Sequence, residues 1–185
     1  MRVDFSYVSK ILSEGKTILY PTDTVYGIGC DATNPIAVSK IYQLKNRDDS
    51  KALICLVNDV AMLKKYIKHV PNEALELLKN VTKPTTIIYN QPIGLASNLI
   101  SQDNTIAIRI VSQGFVHELI TAFGKPIVST SANISGEATP KTFNEISEQI
   151  LKGVDYVVNL PVNQNNSPSQ ILKLELDGTI TVIRA

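Results

Sequence analysis

Tryptophan is absent from this sequence of 185 residues, and cysteine and histidine occur only twice each. The two cysteines, Cys30 and Cys55, are too few for a disulfide scaffold, and no C-x-x-C spacing is present to bind zinc. The two histidines, His69 and His117, cannot build a histidine-rich metal site with those cysteines. We therefore predict no metal centre built by the protein itself, and we expect both cysteines to be small core residues.

Long apolar runs and an excess of either charge are also missing. No apolar stretch reaches the roughly 18 residues that a membrane-spanning helix needs, and the N-terminus lacks the apolar segment of a signal peptide, so we expect a cytoplasmic protein. Eighteen Lys and Arg against seventeen Asp and Glu give a net charge of +1, so any anion site has to come from local clustering. The length, with 44% hydrophobic and 19% charged residues, predicts a single globular domain over residues 1–185.

Helical and strand-like patterns alternate along the chain, with no internal repeat and no linker. Helices are predicted from the apolar positions 8–12 up to Gly15, and over 35–44, 59–68, 72–80, 115–123 and 143–151. Strands are predicted over 17–20, 52–57, 85–89, 105–111, 126–128, 156–158, 170–174 and 179–183. This alternation is typical of an α/β protein with a largely central, partly mixed sheet.

Two polar segments follow predicted strands, where α/β proteins commonly bind ligands. Residues 21–29 carry two glycines that permit a tight backbone path, and a β-turn capped by hydroxyls is also compatible with this segment. Residues 128–136 offer four hydroxyls, an amide and a glycine, a composition that can hold phosphate through neutral donors. Neither segment has the spacing of a Walker loop or a Rossmann fingerprint, and no G-x-S-x-G indicates a serine hydrolase.

Basic side chains supply the other candidates. Lys45 and Arg47 end a predicted helix, where they either form a solvated helix C-terminus or clamp a phosphate. Arg109 closes a β-branched strand, where a charged side chain needs a partner: a structural salt bridge or the carboxylate of a ligand. The residues alone indicate an anion site with a carboxylate-recognising arginine, compatible with a nucleotide, and they do not define a reaction.

These segments, in this order, resemble the YrdC family, the L-threonylcarbamoyladenylate synthases. The matching pieces are Tyr20-Pro21-Thr22-Asp23-Thr24-Val25-Tyr26-Gly27-Ile28-Gly29, the K-x-R of Lys45 and Arg47, the strand from Thr105 to Arg109, the S-x-N of Ser131 and Asn133, Pro168-Ser169-Gln170-Ile171 and Ile183-Arg184. The likeness covers nearly the whole chain. It implies the short, single-domain form of the family, with a twisted mixed sheet flanked by helices around a deep, positively lined cavity.

The resemblance also implies a nucleotidyltransferase reaction. Threonylcarbamoyl-AMP and pyrophosphate would form from L-threonine, bicarbonate or CO₂, and ATP, and the product would feed the N6-threonylcarbamoyladenosine modification of tRNA. Mg²⁺ is expected to enter with ATP and to be held largely by the nucleotide. The implied partners are downstream tRNA-modification transferase proteins and weakly bound tRNA or double-stranded RNA, and no membrane.

The family's site residues carry over by position. The threonine-side contacts fall on Thr24, Arg109, Ser129 and Ser169. The nucleotide contacts fall on Arg47, Lys51, Thr105, Ser131, Asn133, Thr139 and Arg184. Lys45, Arg47 and Lys51 are expected to face the triphosphate, with Lys45 and Arg47 stabilising charge during catalysis, and no proton-transfer residue is assigned.

The sequence departs from the family pattern at several positions. Leu56 stands where some members carry a threonine-side histidine, Gln170 replaces a threonine, Asp48 a proline and Asn46 a glycine. Two alternatives to the enzyme remain open. One is an RNA-binding module whose affinity falls steeply with salt. The other is a nucleotide-binding paralogue that releases no pyrophosphate in response to threonine.

Overall fold

The computed structural model describes residues 3–47, 53–158, 160, 169–175 and 178–185. The helices in these residues are α1 (Phe5–Ser13), α2 (Pro35–Leu44), α3 (Val60–Tyr66), α4 (Asn72–Asn80), α5 (Gly114–Phe123) and α6 (Glu148–Gly153). The strands are β1 (Ile18–Pro21), β2 (Tyr26–Gly29), β3 (Ile54–Val57), β4 (Thr85–Asn90), β5 (Thr105–Ile110), β6 (Ile127–Ser131), β7 (Tyr156–Val157), β8 (Gln170–Leu174) and β9 (Ile180–Arg184). Short 3₁₀ turns occur at Ser97–Leu99 and Phe143–Glu145.

The described strands form one mixed sheet in the order β7-β1-β2-β6-β3-β5-β4-β8-β9. The pairs β1–β7, β3–β5 and β4–β8 are parallel, and the other neighbours are antiparallel. The centre of the sheet therefore joins strands from distant parts of the chain. The predicted α/β class with a largely central, mixed sheet is confirmed.

Sequence signals at the helix ends account for most of the helix boundaries. Asn34 caps α2 by accepting hydrogen bonds from the next two free N–H groups, and Pro35 fills the first helical position, where no N–H is needed. Asp59 caps α3 in the same way. At the other end of α5, Gly124 takes a left-handed conformation (φ 76°) that ends the helix. These local signals fix where the helices begin and end around the sheet.

The core is continuous and contains both cysteines. Cys30 and Cys55 are each fully buried as free thiols, and burial raises the pKa of Cys55 to about 12. A thiol with so high a pKa is a poor nucleophile near neutral pH, so the expectation that both act as small core residues is confirmed. No helix in the described part of the chain is long and apolar enough to cross a bilayer.

The strand β2 differs from the prediction, which treated residues 21–29 as a loop. β2 pairs antiparallel with β1 and also with β6. The strand contains Gly27 and Gly29 because there is no room for a side chain: a Cβ on Gly29 would lie 2.5 Å from the carbonyl oxygen of Val128. Glycine usually weakens a strand, but it also marks such close backbone approaches.

The helix predicted over 143–151 is also wrong in its extent. Phe143–Glu145 forms a 3₁₀ turn, and α6 begins only after Ser147, whose side chain accepts a hydrogen bond from the N–H of Ile150. The apolar spacing in this region does not reveal that a helix cap interrupts it, because the cap is a polar side chain, that of Ser147, which the apolar pattern does not include.

Candidate active site

A cavity of about 340 Å³ lies over one face of the central strands. Its floor follows the strand register, in which Ile54 of β3 lies between Ser129 of β6 and Ala107 of β5. Leu56 and Arg109 continue the same face two residues further along, because side chains alternate between the faces of a sheet. In the part of the chain that the structure describes, the lining residues are Thr22, Thr24, Val25, Gly27, Arg47, Leu53, Ile54, Leu56, Ile88, Ala107, Arg109, Ser129, Thr130, Ser131, Thr139, Ser169, Ile171, Ile183 and Arg184.

Arg109 is a buried cation in this lining, with only 5% of its side chain exposed. Its Nη2 donates to Oδ1 of Asp23 at 2.8 Å, whereas its buried Nε has no hydrogen-bond partner among the described residues. Leaving a buried donor unsatisfied is unfavourable, so the Nε of Arg109 is suited to a ligand acceptor. Both interpretations of Arg109 therefore hold, at different nitrogens of one guanidinium. Nη2 forms the structural salt bridge, and Nε is available to a ligand.

The turn that carries Asp23 is held by the hydroxyl of Thr22. The oxygen Oγ1 of Thr22 accepts hydrogen bonds from the N–H groups of Thr24 and Val25, at 3.0 and 3.1 Å, and donates to the carbonyl of Val25 at 2.6 Å. It also lies 2.9 Å from the hydroxyl of Thr24. This local network fixes the backbone on both sides of Asp23 and holds the hydroxyl of Thr24 at the cavity wall.

The end of α2 turns the chain so that Arg47 reaches the cavity. The N–H of Arg47 donates to the carbonyl of Tyr42 at 2.9 Å, and Asn46 has a positive φ of 48°. This pattern is typical of a helix that ends in a left-handed residue. Glycine is the usual residue there, and asparagine tolerates the conformation better than most residues. Asn46 therefore preserves the turn despite replacing the glycine of the family pattern.

Lys45 points into the wall behind the cavity. Its side chain is 1% exposed, and Nζ donates to the carbonyl oxygens of Ser131 and Asn133. Burial, and to a lesser degree the charge of Arg47, lowers the pKa of Lys45 to about 8. The expectation that Lys45 faces the triphosphate, and the alternative of a solvated helix end, both differ from this arrangement, because the ammonium group is satisfied by backbone carbonyls.

Two side chains that do not face the cavity hold the loop after β6. They are Lys45 of the K-x-R motif and Asn133 of the S-x-N motif. Asn133 donates from Nδ2 to the carbonyls of Ile134 at 3.0 Å and Glu137 at 2.9 Å. The N–H of Ser135 donates to the carbonyl of Lys45 at 2.9 Å. Lys45 and Asn133 thus shape the loop, while Ser131 lies in the cavity lining.

The two outer strands close another side of the cavity. Ser169, which is 5% exposed, places its hydroxyl 2.9 Å from that of Thr86. Arg184 donates from Nε and Nη2 to the carbonyl of Ser169, at 3.0 and 2.6 Å. The side chain of Gln170 donates to the hydroxyl of Thr85 at 2.6 Å and is not among the described lining residues, so it does not take a direct place in the cavity wall.

The structure brings most of the predicted site residues together. The cavity is lined by all four predicted threonine-side residues, Thr24, Arg109, Ser129 and Ser169, and by four of the predicted nucleotide-side residues, Arg47, Ser131, Thr139 and Arg184. Lys45 and Asn133 lie directly behind the lining, and Lys51 lies outside the described residues. Their contacts with ligands stay predictions.

Thr105 is placed away from this group. It begins β5, and its hydroxyl lies 2.7 Å from that of Ser101 and 3.1 Å from Oδ1 of Asp103. Thr105 shares its strand face with Ala107 and Arg109 but lies four residues before Arg109, and it is not among the lining residues described. The hydroxyl of Thr105 closes the turn between residues 101 and 105, and its nucleotide contact stays a prediction.

The sequence analysis assigned no role to Asp23, Thr22 or the apolar floor. The strand alternation in β3 and β4 contains a signal for Ile54, Leu56 and Ile88, since residues two apart share a face. The partnership of Asp23 with Arg109 joins positions 86 residues apart, and nothing local in the sequence reveals it.

The residues present offer little to a metal ion. No group of three or more His, Cys, Asp or Glu side chains in the described part of the chain could hold one. Hydroxyl and guanidinium groups dominate the polar lining instead, and guanidinium groups bind phosphate and carboxylate rather than cations.

Comparisons with known proteins find relatives that match nearly the whole chain. The sequence model of the Sua5/YciO/YrdC family, described as "Telomere recombination", matches residues 10–185. A putative threonylcarbamoyl-AMP synthase from Methanocaldococcus jannaschii is 36% identical over 177 residues, which cover 95% of this chain and 83% of that protein. The threonylcarbamoyl-AMP synthase of Pseudoalteromonas translucida is 34% identical over 163 residues, covering 86% of this chain and 87% of that protein.

Solved structures show the same fold. The crystal structure of P. abyssi Sua5 complexed with L-threonine has a TM-score of 0.89 and 25% identity, and the match covers all of this chain but only 55% of that longer one. The crystal structure of E. coli YciO has a TM-score of 0.81 and 26% identity, covering 97% of this chain and 87% of that one. On the extent of the family match and the identity to these relatives, the chain belongs to the Sua5/YciO/YrdC family.

Proposed function

We propose that this protein is an L-threonylcarbamoyl-AMP synthase, which forms threonylcarbamoyl-AMP and pyrophosphate from L-threonine, bicarbonate or CO₂, and ATP. The observation that carries the proposal is the buried guanidinium of Arg109, which presents an unpartnered Nε in a cavity that Arg47 and Arg184 also line. A buried arginine of this kind suits a carboxylate, and further arginines in the same cavity suit phosphates. Curated relatives that match most of this chain carry the name of this enzyme.

The reaction needs charge stabilisation more than proton transfer. The uncharged amine of L-threonine first combines with CO₂ to give a carbamate, and the proton lost from the nitrogen passes to solvent. A carbamate oxygen then bonds to the α-phosphorus of ATP, while the bond from that phosphorus to the bridging oxygen of the β-phosphate breaks and pyrophosphate leaves. Because the nucleophile, its target and the leaving group are all anionic, alignment and neutralisation lower the barrier. The described lining supplies guanidinium groups and hydroxyls for this, and no histidine or cysteine.

Each part of the lining has a task in this proposal. Arg109 and the hydroxyls of Thr24, Ser129 and Ser169 hold threonine. Arg47, with Ser131, Thr139 and Arg184, holds the nucleotide. The apolar floor formed by residues such as Leu56 excludes water, which strengthens the electrostatic contacts and protects a reactive carbamate from side reactions.

Lys45 acts indirectly in this scheme. It holds the carbonyls of Ser131 and Asn133 and thereby keeps the hydroxyl of Ser131 in position, so it is a positioning residue rather than a phosphate ligand. Mg²⁺ bound to the triphosphate would offset the negative charge of the phosphates. Because the described residues contain no cluster of metal ligands, we propose that this ion arrives with ATP.

The product would pass to a tRNA-modification transferase that transfers the threonylcarbamoyl group to tRNA. We place this activity in the cytoplasm, where ATP and tRNA are both available. Direct binding of tRNA or double-stranded RNA would be weak, since the net charge of the whole chain is only +1.

The test is pyrophosphate release with one substrate omitted at a time. We expect release only when ATP, L-threonine and bicarbonate are present together, and we expect mass spectrometry to detect threonylcarbamoyl-AMP. L-Serine and L-valine, each lacking one part of the threonine side chain, serve as matched controls. Pyrophosphate release that is unchanged without threonine would contradict the proposal, and binding of ATP without threonine-dependent release would favour the non-catalytic paralogue.

A further inference from the structure

The contact between Arg109 and Asp23 is unequal in a way that points to a function. The side chain of Arg109 is 5% exposed, and that of Asp23 is 46% exposed. One hydrogen bond of 2.8 Å joins them, from Nη2 of the arginine to Oδ1 of the aspartate. Arg109 could offer a fork of two parallel donors, but this carboxylate engages one of them, and Nε has no partner in the described part of the chain. A ligand carboxylate that engaged both donors would form the stronger pair.

Asp23 is also placed to release Arg109 without disturbing the fold. The backbone of its turn is held by Thr22, whose hydroxyl bonds to residues on the far side of Asp23. The side chain of Asp23 also lines a neighbouring groove of about 770 Å³, which contains Lys79 and Lys83. A displaced carboxylate therefore has open space to move into, in a groove that Lys83 also lines.

The arginines of the cavity do not by themselves distinguish a carboxylate from a phosphate, so selectivity requires a further group. Arginine binds phosphate and carboxylate through the same planar fork, and arginines at 47, 109 and 184 line one cavity within the described chain. In the proposed reaction, phosphates and a carboxylate arrive together. An unshielded Arg109 would attract either of them, and a phosphate bound there would exclude the amino acid.

We propose that Asp23 is a specificity-determining residue, which occupies Arg109 in the free protein and reserves it for the carboxylate of an amino acid against phosphate-type anions. A phosphate-type anion without a bound metal ion, such as free pyrophosphate, meets the negative charge of Asp23 when it approaches Arg109 and brings no cation to compensate that charge. An amino acid brings an ammonium group beside its carboxylate, so it can exchange partners with the Asp23–Arg109 pair. The choice of L-threonine as that amino acid rests on the proposed function, whereas the exclusion of phosphate does not.

The experiment measures binding of inorganic pyrophosphate by calorimetry to the full chain. We expect Asp23→Asn to bind pyrophosphate about threefold to tenfold more tightly than the wild type, which corresponds to about 0.6–1.4 kcal/mol. Adding Arg109→Gln to Asp23→Asn should abolish this gain. Glu76→Gln is the matched control, because it removes the same charge from the same groove while its partner is Lys79.

A second arm measures L-threonine binding with and without pyrophosphate. In the wild type, pyrophosphate should leave threonine affinity within about twofold, whereas in Asp23→Asn it should weaken threonine binding by at least about fivefold. Both measurements are repeated with Asp23→Ser, which removes the charge without introducing an amide. Thermal melting checks that this variant is folded.

Three outcomes would overturn the inference. They are pyrophosphate affinity in Asp23→Asn within twofold of the wild type, a gain that persists without Arg109, and an equal gain in Glu76→Gln. If wild-type protein releases no pyrophosphate from ATP and threonine, the proposed function fails, and the pyrophosphate-binding arm still decides the role of Asp23.

Discussion

Arg109 and Arg184 line the same cavity, but one lies on an interior strand of the sheet and the other on an edge strand. Arg109 lies on β5, between β3 and β4, and is 5% exposed, whereas every residue of the edge strand β9, including Arg184, is exposed. Arg109 retains a donor that has no partner among the described residues, and Arg184 commits two donors to one backbone carbonyl.

The difference teaches how one cavity can serve two substrates. A strand paired on both sides opens only with large parts of the molecule, while an edge strand opens locally at low free energy. We therefore expect the part of the cavity around Arg109 to be preorganised, and the part around Arg184 at the sheet edge to adjust to a larger ligand. The predictions below test this contrast, starting with the largest effect.

Arg109→Lys should give the largest change. It keeps the charge but removes the planar fork, and the loss of one charge-assisted hydrogen bond costs about 1.5–3 kcal/mol. We expect the threonine concentration for half-maximal rate to rise at least about tenfold, while calorimetry without threonine shows little change in ATP affinity. Equal loss of both affinities would show that Arg109 has a structural or phosphate-side role, and that the two ends of the cavity are not separate.

Lys45 provides a pH test of the wall behind the cavity. Its pKa is lowered to about 8 in the folded protein, against about 10.4 in an unfolded chain. Between these values the unfolded state binds more protons, so the stability contribution of Lys45 increases as the pH rises and is smallest below the folded-state pKa. We expect the unfolding free energy of the wild type, relative to Lys45→Met, to increase by about 2 kcal/mol from pH 8 to pH 10.

The measurement is urea unfolding of both proteins across that pH range, since the difference removes the titrations they share. A flat difference would show that the ammonium group is not desolvated as its burial indicates. Lys64→Met, which changes a lysine of the last turn of α3, is the control for loss of a lysine elsewhere.

Arg47→Ala should affect ATP and not folding. Arg47 lines the cavity and is only half-buried, so its removal should weaken ATP binding about tenfold, equivalent to about 1.4 kcal/mol, and change the unfolding free energy by less than about 0.5 kcal/mol. Calorimetry and urea unfolding on the same preparation measure both quantities. If Arg47→Ala lowered the free energy of unfolding more than the free energy of ATP binding, Arg47 would have a structural role like that of Lys45.

Arg184→Ala should have the smallest effect. Its exposed strand and partial solvation limit its contribution to about 0.2–1 kcal/mol, so we expect ATP affinity to fall about fivefold at most. Lys173→Ala, on the neighbouring strand and paired with Glu175, serves as the control. An effect as large as that of Arg47→Ala would show that the edge of the sheet is as ordered around the nucleotide as its centre is around the amino acid.

Sequence reasoning succeeded where a signal is local and periodic. The spacing of Val8, Ile11 and Leu12 predicts α1, and the β-branched run from Thr105 predicts β5, because both patterns match the period of the element. The ordered motifs also brought eight predicted residues to one cavity. These are features that a few neighbouring residues encode.

Prediction from the sequence failed where the contact that determines a residue's position is made with a residue far away in the chain. Strand β2 looks like a loop until Val128 is known to approach Gly29, and Lys45 looks exposed until the carbonyls of β6 and its loop surround it. Asp23 had no assigned role because its partner is 86 positions away. Tertiary packing, rather than local preference, determines these three arrangements.

The order of the strands has a consequence for how the protein becomes active during synthesis. Thr22 and Arg184 line one cavity although nearly the whole chain separates them, and Arg184 is positioned only through β8 and β9. A chain emerging from the ribosome can pair β1 with β2 early, because their contacts are local, but it cannot complete the binding site until its last strand has docked. The complete cavity lining therefore forms only after β8 and β9 have docked onto β4.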